Sequence, residues 1–175
     1  TAIDTGINTT LNCPEEVLLA EKLLELNPFA GGVKFARTGG EAMSIAVRIA
    51  RAHSGKDKIA FSGYHGWSDW YLATNLGGDK LGSHLLSGLE NTMYPFTYNN
   101  LEELENICAN NDIGVIVIEG ARYDFPTKEF LEGITRISKQ YGIIIVVDEI
   151  TSGWRLTDGG VHKLYNFEPD IAVYG

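Results

Sequence analysis

The sequence is poor in cysteine and contains no long apolar stretch. Its two cysteines, Cys13 and Cys108, lie far apart and match no metal-binding spacing, so the default expectation is a reducing, cytoplasmic compartment. No apolar run approaches the roughly 18 residues that a membrane span needs, and no signal-peptide pattern opens the chain. We therefore expect a cytoplasmic protein that has no membrane partner and no metal site.

Basic residues are also scarce. The chain has 14 Lys and Arg against 23 Asp and Glu, which gives a formal net charge of -9. Proteins that bind nucleic acids concentrate Lys and Arg, so the charge argues against a nucleic acid as the main partner. A local phosphate site is still compatible with this charge. The length of 175 residues is sufficient for one domain with a real core.

Strand and helix signals alternate along the chain. The five β-branched residues of 143–147 predict a strand that is buried on both faces, as in a parallel sheet. Further strands are predicted at Val33–Ala36, Lys58–Ser62, Tyr94–Tyr98, Val115–Ile118 and Ile171–Tyr174. Helices are predicted from Pro14 to about 26, from 42 to about 53, after an Asn100 cap to about 110, from a Thr127 cap to Gly142, and near 162–165. Residues 72–92 are interpreted as a long connection. The alternation indicates a three-layer α/β fold with a mostly parallel sheet.

Acidic residues stand where two of these strands end. Asp148 follows the β-branched run, and Glu119 follows the strand at 115–118. The carboxyl ends of the strands form the ligand crevice in open α/β sheets. A buried acid there needs a cationic partner, or its pKa rises. The alternative is an Asp that only caps the following turn, and the spacing alone favours neither interpretation.

Two glycine-containing segments are candidates for ligand contacts. In 38–42, Thr-Gly-Gly-Glu-Ala, a strand turns into a helix, which exposes backbone N–H groups where a phosphate can bind. In 63–67, Gly-Tyr-His-Gly-Trp, two glycines bracket two aromatic residues beside a sharp bend. A plain strand-to-helix loop and aromatics that cover a core edge are the alternatives.

Taken together, the segments resemble the large domain of fold-type I pyridoxal-phosphate enzymes. More closely, they resemble the class III aminotransferases, and among these the glutamate-1-semialdehyde aminomutases. Four motifs in the family's order carry the resemblance: 38–42 followed by Arg-Ile-Ala-Arg at 48–51, Gly-Tyr-His-Gly at 63–66, Asp-Glu-Ile at 148–150 with Gly-Trp-Arg at 153–155, and Pro-Asp-Ile at 169–171. The resemblance covers nearly the whole chain.

The resemblance implies how the cofactor pyridoxal 5'-phosphate is held. The backbone N–H groups of Gly39 and Gly40, with the Thr38 hydroxyl, would hold the cofactor phosphate. Tyr64 would stack on one face of the pyridine ring, and Ile150 would pack on the other. Gly40 replaces the family's usual Ser or Thr, which removes one hydroxyl donor from this site.

The resemblance also assigns the charged groups near the ring. Asp148 would pair with the pyridinium nitrogen and keep it protonated, so that the ring accepts electrons from the substrate. Glu119 would lie near the ring, and His65 would belong to the cofactor site in a structural rather than a catalytic role. Arg37 stands where the family has a small polar residue, and it would either add a cation near the phosphate or be solvated.

One expected residue is missing. In this family the Schiff-base lysine follows directly after the segment that here ends at Gly175, and Lys163 lies on the wrong side of the last strand. The resemblance therefore implies that residues 1–175 are a pyridoxal-phosphate-binding large domain truncated at both ends. The small C-terminal domain would be absent, and the piece would be inactive alone.

The resemblance implies a transferase or aminomutase that moves an amino group on a small, glutamate-1-semialdehyde-like amino compound, in a parent protein that forms a homodimer. One alternative is a lysine-less binding or scaffolding module with the same fold. A different nucleotide- or phosphate-binding α/β protein is a further alternative, although the sequence has no G-x-G-x-x-G or Walker pattern to support it.

Overall fold

The computed structural model describes residues 13–75 and 88–175. The chain divides into two compact units, Thr1–Lys34 and Phe35–Gly175. The first unit contains helix α1, Pro14–Leu26. Proline occupies the first turn together with Glu15 and Glu16, so the start and end of this helix agree with the prediction.

The second unit is built on a parallel sheet of five strands. The strands are β1 Lys58–Ser62, β2 Met93–Pro95, β3 Ile113–Glu119, β4 Ile144–Asp148 and β5 Ile171–Val173. Their order in the sheet is β2-β1-β3-β4-β5, and all four neighbouring pairs are parallel. The predicted mostly parallel sheet is confirmed.

Helices cover both faces of this sheet. They are α2 Gly39–Ser54, α3 Asp69–Asn75, α4 Leu101–Asn110, α5 Lys128–Tyr141 and a 3-10 helix, Val161–Tyr165. Alternate residues of β3 point to opposite faces. Ile116 and Ile118 pack with α4 and α5, while Val115 and Val117 pack with α2 and α3. The three-layer prediction is therefore correct. None of the helices described in 13–75 and 88–175 is both long and apolar enough to span a membrane.

Local capping signals in the sequence place the ends of two helices. The Asn100 side chain accepts a hydrogen bond from the Glu103 N–H at 3.1 Å, and the Thr127 hydroxyl accepts one from the Phe130 N–H at 3.1 Å. Gly142 ends α5 in the left-handed region with φ 65°, where a residue without Cβ is favoured.

Three predicted segments differ from the structure. Val33–Ala36 keeps alternating exposure but forms no strand, because no described strand lies beside it to share hydrogen bonds. The strand predicted at Tyr94–Tyr98 is Met93–Pro95 instead, since the turn toward α4 already begins at Thr97, whose carbonyl accepts from the Asn100 N–H. Of the predicted connection 72–92, residues 72–75 belong to α3, and 76–87 lie outside the described residues.

Candidate active site

The carboxyl edge of the sheet brings the predicted acids side by side. Glu119 and Asp148 are the last residues of β3 and β4, and they are paired in the register of the two strands. Both residues are buried, with Glu119 7% exposed and Asp148 5% exposed. Neighbouring parallel strands lie about 4.8 Å apart, so the two carboxyl groups share one small region.

Both oxygens of the Asp148 carboxyl group have a partner. Oδ1 accepts a hydrogen bond from the Ile150 N–H at 3.0 Å, which closes a short turn after β4. Oδ2 lies 2.9 Å from His65 Nδ1. One oxygen thus caps the turn, as the alternative interpretation of this acid expects, and the other faces an imidazole.

The hydrogen bonds of His65 define how many protons the buried pair holds. The ring is 1% exposed, and its Nε2 lies 3.1 Å from the Ser62 carbonyl oxygen. A carbonyl oxygen only accepts, so Nε2 must carry a proton. The contact between Nδ1 and Asp148 Oδ2 then needs a second proton, on the ring or on the carboxyl group. The ring is fixed further by stacking on Trp70, with centroids 6.3 Å apart.

Ile150 connects the acid to the glycine turn. Its backbone N–H bonds to Asp148, and its side chain lies so close to Gly39 that a Cβ added there would be 2.9 Å from Ile150 Cδ1. A Cβ added at Gly175 would lie 3.1 Å from Ile150 Cγ2. A single residue therefore contacts both Gly39 and Asp148, the two ends of the site that the sequence predicted.

Helix α2 begins with two half-buried glycines whose N–H groups are hydrogen-bond donors. Among the described residues, the N–H groups of Gly39 and Gly40 have no recorded acceptor. Gly66, at φ 96°, approaches so closely that a Cβ on it would be 3.1 Å from the Gly40 Cα. The Trp67 indole Nε1 lies 3.4 Å from where a Gly40 Cβ would be. Unpaired N–H groups at the start of a 16-residue helix suit an anion.

Two neighbouring residues cap the start of α2. The Thr38 hydroxyl accepts from the Glu41 N–H at 3.2 Å, and the Glu41 carboxylate accepts from the Arg37 backbone N–H at 3.0 Å. The Thr38 hydroxyl proton is left to donate. The Arg37 side chain is exposed. Thr38 is thus the N-cap of α2, and the predicted contact of its hydroxyl with the cofactor phosphate stays a prediction.

Glu119 holds the loop that carries Tyr64. One Glu119 oxygen accepts from the Tyr64 N–H at 3.2 Å, and the other lies 2.9 Å from Arg122 Nε. The Arg122 guanidinium lies 5.4 Å from the centroid of the Tyr64 ring. Gly63 has φ 110° and packs directly on the Glu119 carboxyl group, so this position requires glycine. Burial raises the pKa of Glu119, and the Tyr64 N–H and Arg122 partly offset this effect.

We expect Glu119 to make the protein less stable as the pH rises. The folded-state pKa of Glu119 lies above the unfolded value of about 4.3. The stability that this carboxyl group contributes is therefore fully present below about pH 4.3 and is lost as the pH rises through the folded pKa. Glu119→Gln should remove this decline, as measured by urea unfolding across the acid range. The control Glu132→Gln, at an exposed carboxyl paired with Lys128, should keep it. An unchanged pH profile for Glu119→Gln would contradict the assignment.

Sequence reasoning missed a second buried network, which lies beside Asp148. Glu149 is fully buried, and its carboxylate accepts from the Ser152 hydroxyl at 2.5 Å, from the His162 N–H at 3.0 Å and from His162 Nδ1 at 2.9 Å. Burial raises the pKa of Glu149, but the hydrogen bonds from His162 and Ser152 outweigh it, so the net pKa is lowered. Arg122 was also missed, and the i,i+3 spacing of Glu119 and Arg122 was the available signal.

Comparison with known proteins places this chain in a family. The overall architecture is that of the fold-type I pyridoxal-phosphate transferases: a structure described as "Transaminase with PLP bound" superposes with a TM-score of 0.87 at 27% identity, covering 99% of this chain and 44% of that one. The Aminotransferase class-III family profile matches residues 5–175. The chain belongs to the class-III aminotransferase family, as its motifs indicated.

The similar proteins differ in the reactions for which they are named. A 3-aminobutyryl-CoA aminotransferase of Cloacimonas acidaminovorans is 36% identical over 165 residues, covering 90% of this chain and 38% of that protein. A glutamate-1-semialdehyde 2,1-aminomutase of Heliobacterium modesticaldum is 36% identical over 189 residues, covering 99% of this chain and 43% of that protein. The chain thus spans about two fifths of the length of these relatives. The resemblance to the aminomutases is confirmed at the level of the family.

Proposed function

We propose that this chain forms the cofactor-binding part of an enzyme that uses pyridoxal 5'-phosphate to move an amino group on a small amino compound. The observation that carries the proposal is the position of Ile150, which contacts both Gly39 and Asp148. An anion-binding helix start and a buried carboxylate therefore lie within reach of one small molecule. A phosphorylated pyridine ring has a group that suits each of them.

The residues around the site fit the cofactor. The N–H groups of Gly39 and Gly40, together with the Thr38 hydroxyl, would hold the phosphate. Tyr64 would cover one face of the ring, and Ile150 would cover the other. Both side chains border the edge where Glu119 and Asp148 end their strands, and the Tyr64 side chain is accessible because the residue is 50% exposed.

Asp148 supplies the charge that the chemistry requires. When bound, the cofactor acts as an electron sink for a substrate carbanion, and it does so best with its ring nitrogen protonated. A buried carboxylate beside that nitrogen favours the protonated form. The Ile150 N–H and His65 hold the carboxyl group in one orientation, so His65 is a positioning residue that acts through Asp148.

We further propose that residues outside this chain complete the active site. The family's catalytic lysine is expected after Gly175, and Gly175 packs on Ile150 at the edge of the site. Lys163, the nearest lysine in the sequence, donates instead to the Asp158 carbonyl oxygen at 2.7 Å. The isolated chain is accordingly proposed to be inactive, and the full-length protein to act as a cytoplasmic homodimer. Its relatives' names support either amino transfer or amino migration on a small amino compound.

The phosphate site gives the sharpest test of this proposal. We expect the full-length protein to bind pyridoxal 5'-phosphate at least about 10-fold more tightly than pyridoxal, since charge-assisted hydrogen bonds contribute about 1.5–3 kcal/mol each. Gly39→Ala should reduce this preference, because its Cβ would meet Ile150 Cδ1 at 2.9 Å. Gly32→Ala, at a position with nothing within 4 Å, is the matched control.

Each protein is titrated with pyridoxal 5'-phosphate and with pyridoxal, and binding is followed by visible absorbance. Borohydride should bleach the absorbance of the bound cofactor. Amino donors should then change the absorbance of the loaded protein. If the protein is a scaffolding module, borohydride will not attach any cofactor to it. Equal affinity for pyridoxal 5'-phosphate and pyridoxal would rule out the proposed phosphate site.

A further inference from the structure

The Arg122 guanidinium group is held on two sides at the exposed rim of the site. Its Nε bonds to Glu119, and its Cζ lies over the Tyr64 ring, 5.4 Å from the ring centroid. The side chain is 31% exposed. Its two terminal nitrogens contact no hydrogen-bond acceptor within residues 13–75 and 88–175. A fixed guanidinium group therefore presents an edge with unused donors beside the residue that we propose to cover the cofactor.

The chemistry of this edge suits a carboxylate. Guanidinium groups bind planar carboxylates through two parallel N–H···O bonds, and a group that is already fixed in position loses little entropy on binding. Glu119 offsets the charge of Arg122, and the Asp148 carboxyl group lies at the end of the adjacent strand. A singly charged ligand is therefore better matched than a doubly charged phosphate, which these acids would repel.

We propose that Arg122 binds the carboxylate of the amino substrate and selects for substrates that carry a free acid group. This inference rests on the proposed function and narrows its substrate class. Glu119 and Tyr64 serve as positioning residues, because they fix the guanidinium group on two sides and leave its terminal edge open.

The experiment compares β-alanine with β-alaninamide, its uncharged amide, as amino donors for the full-length protein loaded with pyridoxal 5'-phosphate. Arg122→Gln should raise the KM for β-alanine about 10- to 100-fold, the effect of losing a charge-assisted hydrogen bond, and leave the KM for the amide unchanged. Arg122→Lys keeps the positive charge but not the two parallel N–H donors, so it should give a KM for β-alanine between those of the wild type and Arg122→Gln. Arg136→Gln, at an exposed arginine paired with Glu105 away from the site, is the matched control.

A second readout does not depend on activity. Propanoate should bind the cofactor-free full-length protein in calorimetry, and Arg122→Gln should abolish that binding while Arg136→Gln keeps it. If Arg122 only holds Tyr64 in place, Arg122→Gln will raise the KM for β-alanine and for β-alaninamide by the same factor, and the inference fails. Tighter, Arg122-dependent binding of inorganic phosphate than of propanoate would also overturn it. A failure of the proposed function can be distinguished from these two outcomes, because the protein would then not bind pyridoxal 5'-phosphate at all.

Discussion

Glu149→Ala is expected to lower the free energy of unfolding by about 3–5 kcal/mol, because it removes the acceptor of a fully buried hydrogen-bond network. The Ser152 hydroxyl and two N–H groups of His162 would lose their partner at once. Since whole domains are stable by only about 5–15 kcal/mol, a large part of the stability would be lost. Urea unfolding followed by circular dichroism measures the change.

Two further variants make this test specific. Glu149→Gln keeps an oxygen acceptor and the side-chain volume, so we expect a smaller loss of roughly 1–2 kcal/mol. Glu132→Ala, at an exposed position, should change the stability by less than about 0.5 kcal/mol. A loss for Glu149→Ala no larger than that of the exposed control would show that the network does not stabilise the fold.

The contribution of Glu149 to folding stability changes with pH in the opposite direction to the contribution of Glu119. The folded-state pKa of Glu149 lies below the unfolded value of about 4.3. Its contribution to stability is therefore present above about pH 4.3 and is lost as the pH falls through the folded pKa. The pKa values of the two acids thus shift in opposite directions, because the hydrogen bonds to Glu149 outweigh its burial, whereas the burial of Glu119 outweighs its contacts with the Tyr64 N–H and Arg122.

The parts of the fold that the sequence predicted are those fixed by local signals. Strand β4 was evident from a continuous β-branched run, since only a strand covered on both faces tolerates such a sequence. The starts of α4 and α5 were evident from Asn100 and Thr127, because a cap bonds to a residue only three positions away. Asp148 was found because it directly follows the run in sequence.

The parts that were missed depend on contacts between distant residues. A strand at Val33–Ala36 would need a hydrogen-bonded neighbour, and four residues cannot specify one. Glu119 reaches the Tyr64 N–H across 55 positions, and Glu149 reaches His162 across 13. No local pattern encodes these pairs, so the surroundings of the predicted acids became visible only in the folded chain.

The folded chain also explains why a carboxyl group is tolerated at position 148. One oxygen satisfies a turn N–H that would otherwise be buried without a partner, and the other is satisfied by His65. Each oxygen retains a second lone pair. The carboxyl group is therefore oriented by the protein and can still accept from a ligand, which is what binding a protonated ring nitrogen requires.

Asp148→Asn is expected to lower kcat of the full-length, cofactor-loaded protein by roughly 100- to 1,000-fold, which corresponds to about 2.7–4.1 kcal/mol of activation free energy, because the neutral amide no longer favours a protonated ring nitrogen. The amide keeps an oxygen for the Ile150 N–H and turns its NH2 toward His65 Nδ1. With its proton on Nε2, His65 can still donate to the Ser62 carbonyl and accept at Nδ1. Hydrogen bonding survives while the negative charge is lost.

The fold should consequently tolerate this change. Urea unfolding of the cofactor-free Asp148→Asn protein should differ from wild type by less than about 1 kcal/mol, while Asp148→Ala should be less stable because it leaves the Ile150 N–H and His65 without an acceptor. Asp158→Asn, at an exposed position, serves as the activity control. Activity of Asp148→Asn within about 10-fold of wild type would mean that the charge at position 148 does not act on the cofactor ring, since one factor of ten corresponds to only about 1.4 kcal/mol.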